Sequence, residues 1–205
     1  MKTSIKLCGF KYIEDIIFAT SLNINYLGMI FVKNVQRTIN LDTAVQGAKI
    51  CKDKGIKSVG VFLNQDLSEI EKILSKVDLD MLQLHGTENI DDYKVFNKDL
   101  IKTLHISEEL PLKVKDLDFD NVTYLLDTSS NHLQGGTGKC FDWSILKDIP
   151  VEKLFVAGGL KPDNILDLLS SYEPKCVDVS SGIEKESGHK DHNLMSEFVH
   201  KVRAY

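Results

Sequence analysis

The sequence predicts an α/β protein, a single (β/α)8 TIM barrel. Three observations carry that prediction. Short runs rich in Val, Ile and Leu alternate from end to end with longer runs whose apolar residues recur every three or four positions. About eight such units fit into the 205 residues, roughly 25 per unit, near the minimum for a strand, a crossover helix and two turns. No shift in composition marks a linker, so residues 1–205 read as one domain.

The strand candidates, in order, are "SIKLCGF" (4–10), "YLGMIFV" (26–32), "KSVGVFL" (57–63), "MLQLHG" (81–86), "LIKTLHI" (100–106), "VTYLLDT" (122–128), "LFVAGG" (154–159) and "CVDVSSG" (176–182). Helical spacing appears in "IEDIIFATSL", in "LDTAVQGAKICKDKG" with its terminal glycine, and in "DLSEIEKILSKV". It recurs in "NIDDYKVF", "PDNILDLLSSY" and "HNLMSEFVHKVRAY". The helical signal is weakest after the fifth and sixth strands. Apolar strands separated by helices imply a parallel sheet covered by helices, and eight of them favour closure.

The net charge of −5 argues against a nucleic-acid partner. No apolar run reaches the roughly 20 residues a membrane helix needs, and the N-terminal stretch is too quickly polar for a signal peptide. The four cysteines, Cys8, Cys51, Cys140 and Cys176, form no Cys-x-x-Cys pair. A disulfide framework or a metal site is not expected, and a reducing cytoplasm fits.

A barrel of this kind carries its active site at the C-terminal ends of its strands. The polar residues there are Cys8, His85, Asp127, the Gly158-Gly159 pair and Ser180-Ser181. Strand alternation puts Lys6 on the same face as Cys8, Gln83 with His85, and Asp178 with Cys176 and Ser180. A lysine inside a barrel needs an anion, and Asp178 on the last strand has the matching parity beside the first. A Lys6–Asp178 pair beneath Cys8 is expected, and its lysine would help hold the thiol as thiolate. The alternative leaves Lys6 facing solvent and Cys8 as a packed core residue.

Three glycine-rich stretches follow successive strands: "LQGGTGKCFDW" (133–143), "VAGGLKPDN" (156–164) and "VDVSSGIE" (177–184). Glycines let backbone N–H groups approach an anion, and the loops after strands seven and eight are the recurrent phosphate site of such barrels. Asp127 and Cys8 on opposite sides of a substrate suit proton transfer between carbon and oxygen, although Asp127 could equally cap a turn. His85 could catalyse or make a structural hydrogen bond. His105, His132, His189, His192 and His200 show no ligand spacing and read as solvated.

Taken together, "KLCGF" (6–10), "LQLHG" (82–86), "LLDT" (125–128), "GGTGKCFDW" (135–143), "AGGLKPDN" (157–164) and "VDVSSGIEKESGHKD" (177–191) resemble the phosphoribosylanthranilate isomerase family, over essentially the whole chain. The resemblance implies a cofactor-free Amadori rearrangement of N-(5′-phosphoribosyl)anthranilate to 1-(2-carboxyphenylamino)-1-deoxyribulose 5-phosphate, in tryptophan biosynthesis. It implies Cys8 as general base and Asp127 as general acid. Arg37, His85 and Asp178 would contact substrate. Gly135, Gly136, Gly158, Gly159, Ser180, Ser181 and Gly182 would hold the phosphate. The family's "K-S-x-R" after strand two is "NVQR" (34–37) here, so Arg37 keeps its place while the residues before it differ. The substrate would be a small phosphosugar, turned over without metal or cofactor, and the oligomer a monomer or homodimer. A barrel that binds but no longer catalyses is the main rival. It would need Arg37 and the glycines but neither Cys8 nor Asp127.

Overall fold

The computed structural model describes residues 2–106, 114, 117–127 and 143–205. Eight parallel strands close into a barrel in sequence order, with the last beside the first. They are β1 (Ser4–Phe10), β2 (Tyr26–Ile30), β3 (Lys57–Phe62), β4 (Met81–Leu84), β5 (Asp99–His105), β6 (Thr123–Asp127), β7 (Leu154–Val156) and β8 (Cys176–Val179). The predicted fold class and all eight strands are therefore present.

Alternation sorts each strand into two faces. Ile5, Leu7, Leu27, Met29, Leu82, Leu84, Leu126, Val156, Val177 and Val179 belong to the large apolar cluster shared with the helices. Val59, Met81, Ile101, Leu125, Phe155 and Cys176 form a separate, smaller cluster that fills the barrel itself. The same period of two places Lys6, Cys8, Gln83, Thr103 and Asp178 on the inward face, above that plug.

The helices are α1 (Ile13–Ala19), α2 (Leu41–Asp53), α3 (Leu67–Leu74), α4 (Ile90–Tyr93), α5 (Ile165–Ser171) and α6 (His192–Ala204). Asn40 caps α2 by accepting from the Thr43 N–H at 2.8 Å, and Gly55 just beyond its end takes φ +68°. Asp191 caps α6 by accepting from the N–H groups of Asn193 and Leu194. At the other end of α6 the Arg203 guanidinium donates to the carbonyls of Thr3 and Asn23 and to Asn25 Oδ1, tying the last helix to the start of the barrel.

Two regions depart from the sequence reading. After β6, residues Trp143–Asp148 form a 3-10 helix, which has poorer hydrogen-bond geometry than an α-helix and occurs in short pieces. After β8 the sequence pattern is that of a polar loop. The chain instead forms a short 3-10 turn and an antiparallel hairpin, β9 (Glu184–Glu186) and β10 (His189–Lys190), turning through Gly188 at φ +84°. Much of the segment between β5 and β6, and the whole "GGTG" loop with Gly135 and Gly136, lie outside the described residues.

Candidate active site

One side of the mouth is built by β8, β1 and β2. Lys6 and Asp178 are paired residues in the β1–β8 register, and Lys6 Nζ donates to Asp178 Oδ2 at 2.7 Å. The lysine is fully buried and the aspartate nearly so. The predicted pair is present, and Lys6 is not at the surface. Burial alone would favour the neutral amine, but Asp178 and the Cys8 thiol outweigh it, so the Lys6 pKa stands above its ordinary value.

Cys8 lies one inward position further along β1, 6% exposed. Its register partner is Gly28, where an added Cβ would come within 2.5 Å of Cys8 Sγ. Gly28 is therefore the space into which the thiol leans. Gly9 follows at φ +82°, a backbone that favours glycine, and a Cβ there would meet Ser180 Oγ at 2.7 Å and Arg37 Cδ at 3.0 Å. The Cys-Gly ending of the strand thus has a local reason. It turns the backbone while leaving β1, the β2 loop and the β8 end in contact.

Lys6 acts on Cys8 in the expected direction, favouring the thiolate, but it does not decide the balance. Burial pushes the Cys8 thiol up from its ordinary value. Lys6 and Lys190 pull it back down and Asp178 pushes the same way as burial, with the net direction upward. Desolvation of a thiolate in a nearly closed site outweighs the neighbouring cations.

Arg37 reaches the mouth from the β2–α2 connection. Its Nε and Nη2 donate to Glu184 Oε1 and Oε2 at 2.8 and 2.7 Å, a bidentate pair. Glu184 also accepts from Lys190 Nζ at 2.8 Å, and that Nζ donates to the Ser180 carbonyl at 3.0 Å. Burial works against the Glu184 carboxylate, yet Arg37 and Lys190 hold its pKa below the usual range. Sequence pattern singles out neither Glu184 nor Lys190. Their only signal is a glutamate and a lysine spaced around a Ser-Gly turn, which also describes an ordinary exposed hairpin.

The opposite side is built by β4, β5 and β6. Asp127 ends β6, and its Oδ2 lies 3.6 Å from His85 Nε2. His85 Nδ1 faces Thr103 Oγ1 at 3.1 Å and Gln83 Nε2 at 3.3 Å. Burial, then the neighbouring His105 and Lys6, push the His85 pKa down to about 4, so its ring is neutral at physiological pH. His105 meets His85 edge to face with ring centroids 5.6 Å apart.

The phosphate candidates fall together where they are described. Gly158 and Gly159 take φ +89° and +69° after β7. Ser181–Ile183 form a 3-10 turn directly after β8. A Cβ at Gly182 would lie 1.9 Å from the Leu160 carbonyl oxygen, so the two loops abut backbone to backbone. Asn164 Nδ2 donates to the Gly159 carbonyl at 3.0 Å and braces the first of them.

Two histidines expected to be solvated are partnered instead. His192 pairs with Asp15 at 2.9 Å and stacks on Phe18, and His189 packs against Tyr12. They line a cavity of about 350 Å³ beside the hairpin. Among the described residues no group of three or more His, Cys, Asp or Glu is arranged to hold a metal, and no helix is long and apolar enough to cross a membrane.

A family model described as N-(5′-phosphoribosyl)anthranilate (PRA) isomerase matches residues 5–201. The N-(5′-phosphoribosyl)anthranilate isomerase of Caldanaerobacter subterraneus subsp. tengcongensis is 39% identical, over 97% of each chain. A crystal structure of mutually generated monomers of the dimeric Thermotoga maritima enzyme superposes with a TM-score of 0.81 at 28% identity, covering 99% of this chain and 100% of that one. Another structure of such an isomerase, in complex with reduced 1-(o-carboxyphenylamino)-1-deoxyribulose 5-phosphate, gives 0.80 at 28% identity with the same coverage.

Proposed function

The chain belongs to the N-(5′-phosphoribosyl)anthranilate isomerase family, and from that membership we propose how its own residues carry the reaction. The substrate is N-(5′-phosphoribosyl)anthranilate, with Cys8 as general base and Asp127 as general acid. The observation that carries this reading is the pair of opposed groups at the barrel mouth. One is a thiol flanked by buried lysines, the other a carboxyl beside a neutral imidazole.

Asp127 gives its proton to the ribose ring oxygen as the C1′–O bond breaks. The anilino nitrogen supplies the electron pair that makes the Schiff base. The Cys8 thiolate then takes the proton from C2′. The C–H electron pair becomes the C1′–C2′ double bond of an enolamine, which becomes the ketone by losing the C2′ hydroxyl proton and gaining one at C1′. The carbon acid is made accessible by the cationic nitrogen, which acts as the electron sink. Because burial raises the Cys8 thiol in the free protein, the base form has to be generated, and the acid limb of the rate profile reports that step.

Arg37 receives the anthranilate carboxylate, its plane held by Glu184. Asp178 Oδ1 and Gln83 Oε1 are buried acceptors without a protein partner among the described residues, and the sugar hydroxyls are matching donors. His85 lies beside the acid and contacts substrate there. The backbone N–H groups of Gly158, Gly159, Ser181 and Gly182, with the Ser180 and Ser181 hydroxyls and the Gly135-Gly136 loop, take the phosphate. Residues 1–205 act as one catalytic barrel in the cytoplasm, as a monomer or homodimer.

The test generates the substrate in situ from anthranilate and phosphoribosyl pyrophosphate and follows the loss of its fluorescence on adding protein. Cys8→Ala and Asp127→Ala are each expected to lower kcat by about 10²–10⁴-fold while the reduced product analogue binds nearly as before. Equal losses of binding and turnover would remove the acid–base assignment. Unaltered turnover in Cys8→Ala would remove the base.

A further inference from the structure

Among the described residues, the side chains of three buried or half-buried cations on the β8–β1–β2 side, Lys6, Arg37 and Lys190, pair with two carboxylates, Asp178 and Glu184. Lys6 is neutralised by Asp178 at 2.7 Å, and Arg37 by the bidentate Glu184. Lys190 shares Glu184 with Arg37. Arg37 and Lys190 thus share one carboxylate, and the Lys190 side chain has no exposure.

That burial is unusual for its position. In the same hairpin Lys185 and Glu186 lie at the surface. A hairpin that only had to cover the barrel could bury an apolar side chain here, and an incompletely matched buried ammonium is costly. The ammonium is also held in place. It donates to Ser180 O and Glu184, sits 5.4 Å from the centroid of the Phe10 ring, and lies 3.4 Å from where a Gly9 Cβ would be. The strand it overlies is the Cys8-Gly9-Phe10 end of β1. An ionised Cys8 would be a second anion for the two cations that share Glu184.

We propose that Lys190 is a positioning residue for the isomerisation, acting through Cys8: its buried ammonium is the counter-charge of the thiolate base. This rests on Cys8 being the base. The charged groups around Cys8 are Lys6 on β1, Asp178 on β8, Arg37 after β2 and Lys190 on β10. Glu184 on β9 is shared by the latter two, Asp15 on α1 lies against the Lys190 backbone, and His85 and Asp127 face Asp178 across the mouth. Lys6 acts on the thiol more strongly and bonds to it, but it is already matched by Asp178; Lys190 is the other lysine that favours the thiolate.

The experiment is a pH titration of Cys8 alkylation by iodoacetamide, without substrate, the modified Cys8 peptide being quantified by mass. It compares the natural protein with Lys190→Gln and Lys190→Arg. Glutamine keeps a donor for Glu184 and the Ser180 carbonyl, and arginine keeps the charge. Removing a cation raises a thiol pKa. The alkylation midpoint of Lys190→Gln is therefore expected to move up by about one pH unit, roughly tenfold slower modification below the midpoint. The acid limb of kcat/KM should move with it, and Lys190→Arg should restore both. An unchanged midpoint overturns the proposal in either of two ways. A raised KM would assign Lys190 to a substrate anion, and a lowered Tm alone would assign it to structure. Failure of the base assignment itself would show separately, as turnover surviving in Cys8→Ala.

Discussion

The two sides of the barrel mouth solve the problem of a buried polar site in opposite ways. On the β8–β1–β2 side the groups are ions: Lys6 with Asp178, and Arg37 and Lys190 with Glu184. On the β4–β5–β6 side the inward groups are mostly neutral. Gln83, Thr103 and a His85 with its pKa near 4 make hydrogen bonds to one another. The difference fits the roles proposed for each side. A thiolate base needs positive charge nearby. A carboxylic acid that must give up its proton and regain it is better placed beside a neutral ring than beside a fixed cation, which would hold it ionised.

The comparison breaks most severely where an ion pair is opened. Asp178→Asn leaves Lys6 buried without its counter-ion, and the expected loss is about 3–5 kcal/mol of unfolding free energy. Urea denaturation of the variant measures it. A loss under about 1 kcal/mol would mean that water or another acceptor reaches Lys6, and the contrast between an ionic and a neutral side would lapse.

The neutral side predicts a pH dependence of a different sign from that of a matched histidine. With a folded pKa near 4 and an unfolded value near 6.5, the unfolded chain binds the proton more readily between those values. Stability from a neutral His85 is complete above about pH 6.5 and lost as pH falls toward 4. Allowing for the partial exposure of the ring, the loss is about 1–2 kcal/mol. The difference between the natural and His85→Asn stability curves should therefore slope over that window and flatten above it. A flat difference throughout would mean that folding leaves the His85 pKa unshifted.

The smallest expected effect concerns a single hydroxyl. Thr103→Val keeps the shape and removes the 3.1 Å partner of His85 Nδ1, at a cost of about 1 kcal/mol in thermal or urea unfolding. Gln83 Nε2 stays as an alternative partner at 3.3 Å, which is why the effect is the smallest of the three. A loss well above about 2 kcal/mol would show that the neutral network acts as a unit, much as the ionic one does.

Strand parity explains why so much of this site is legible in the order of residues. Lys6, Cys8, Gln83, His85 and Asp178 share an inward face because side chains alternate along an extended chain, whatever the chain packs against. The Lys6–Asp178 pair follows from that parity and from closure of the last strand on the first. The hairpin after β8 is not legible in the same way. "IEKESGHKD" is polar, short and rich in turn residues, the pattern of a solvated loop. Nothing local marks Lys190 as buried while Lys185 is open.

The barrel, the order of its strands, the inward row of polar residues and the family resemblance are all written in the sequence. They rest on periodicity and motif, which are properties of neighbouring residues. Folding in three dimensions was needed to join Glu184 to Arg37, 147 positions away, and to Lys190, and to set Gly182 against the Leu160 backbone. It also sets the direction of the Cys8 thiol. Lysines 6 and 190 favour the thiolate, but closure of the mouth removes the water that would solvate it, and the desolvation is the larger effect. Burial depends on every element that packs around a group, so its balance against charge appears only once the chain has closed on itself.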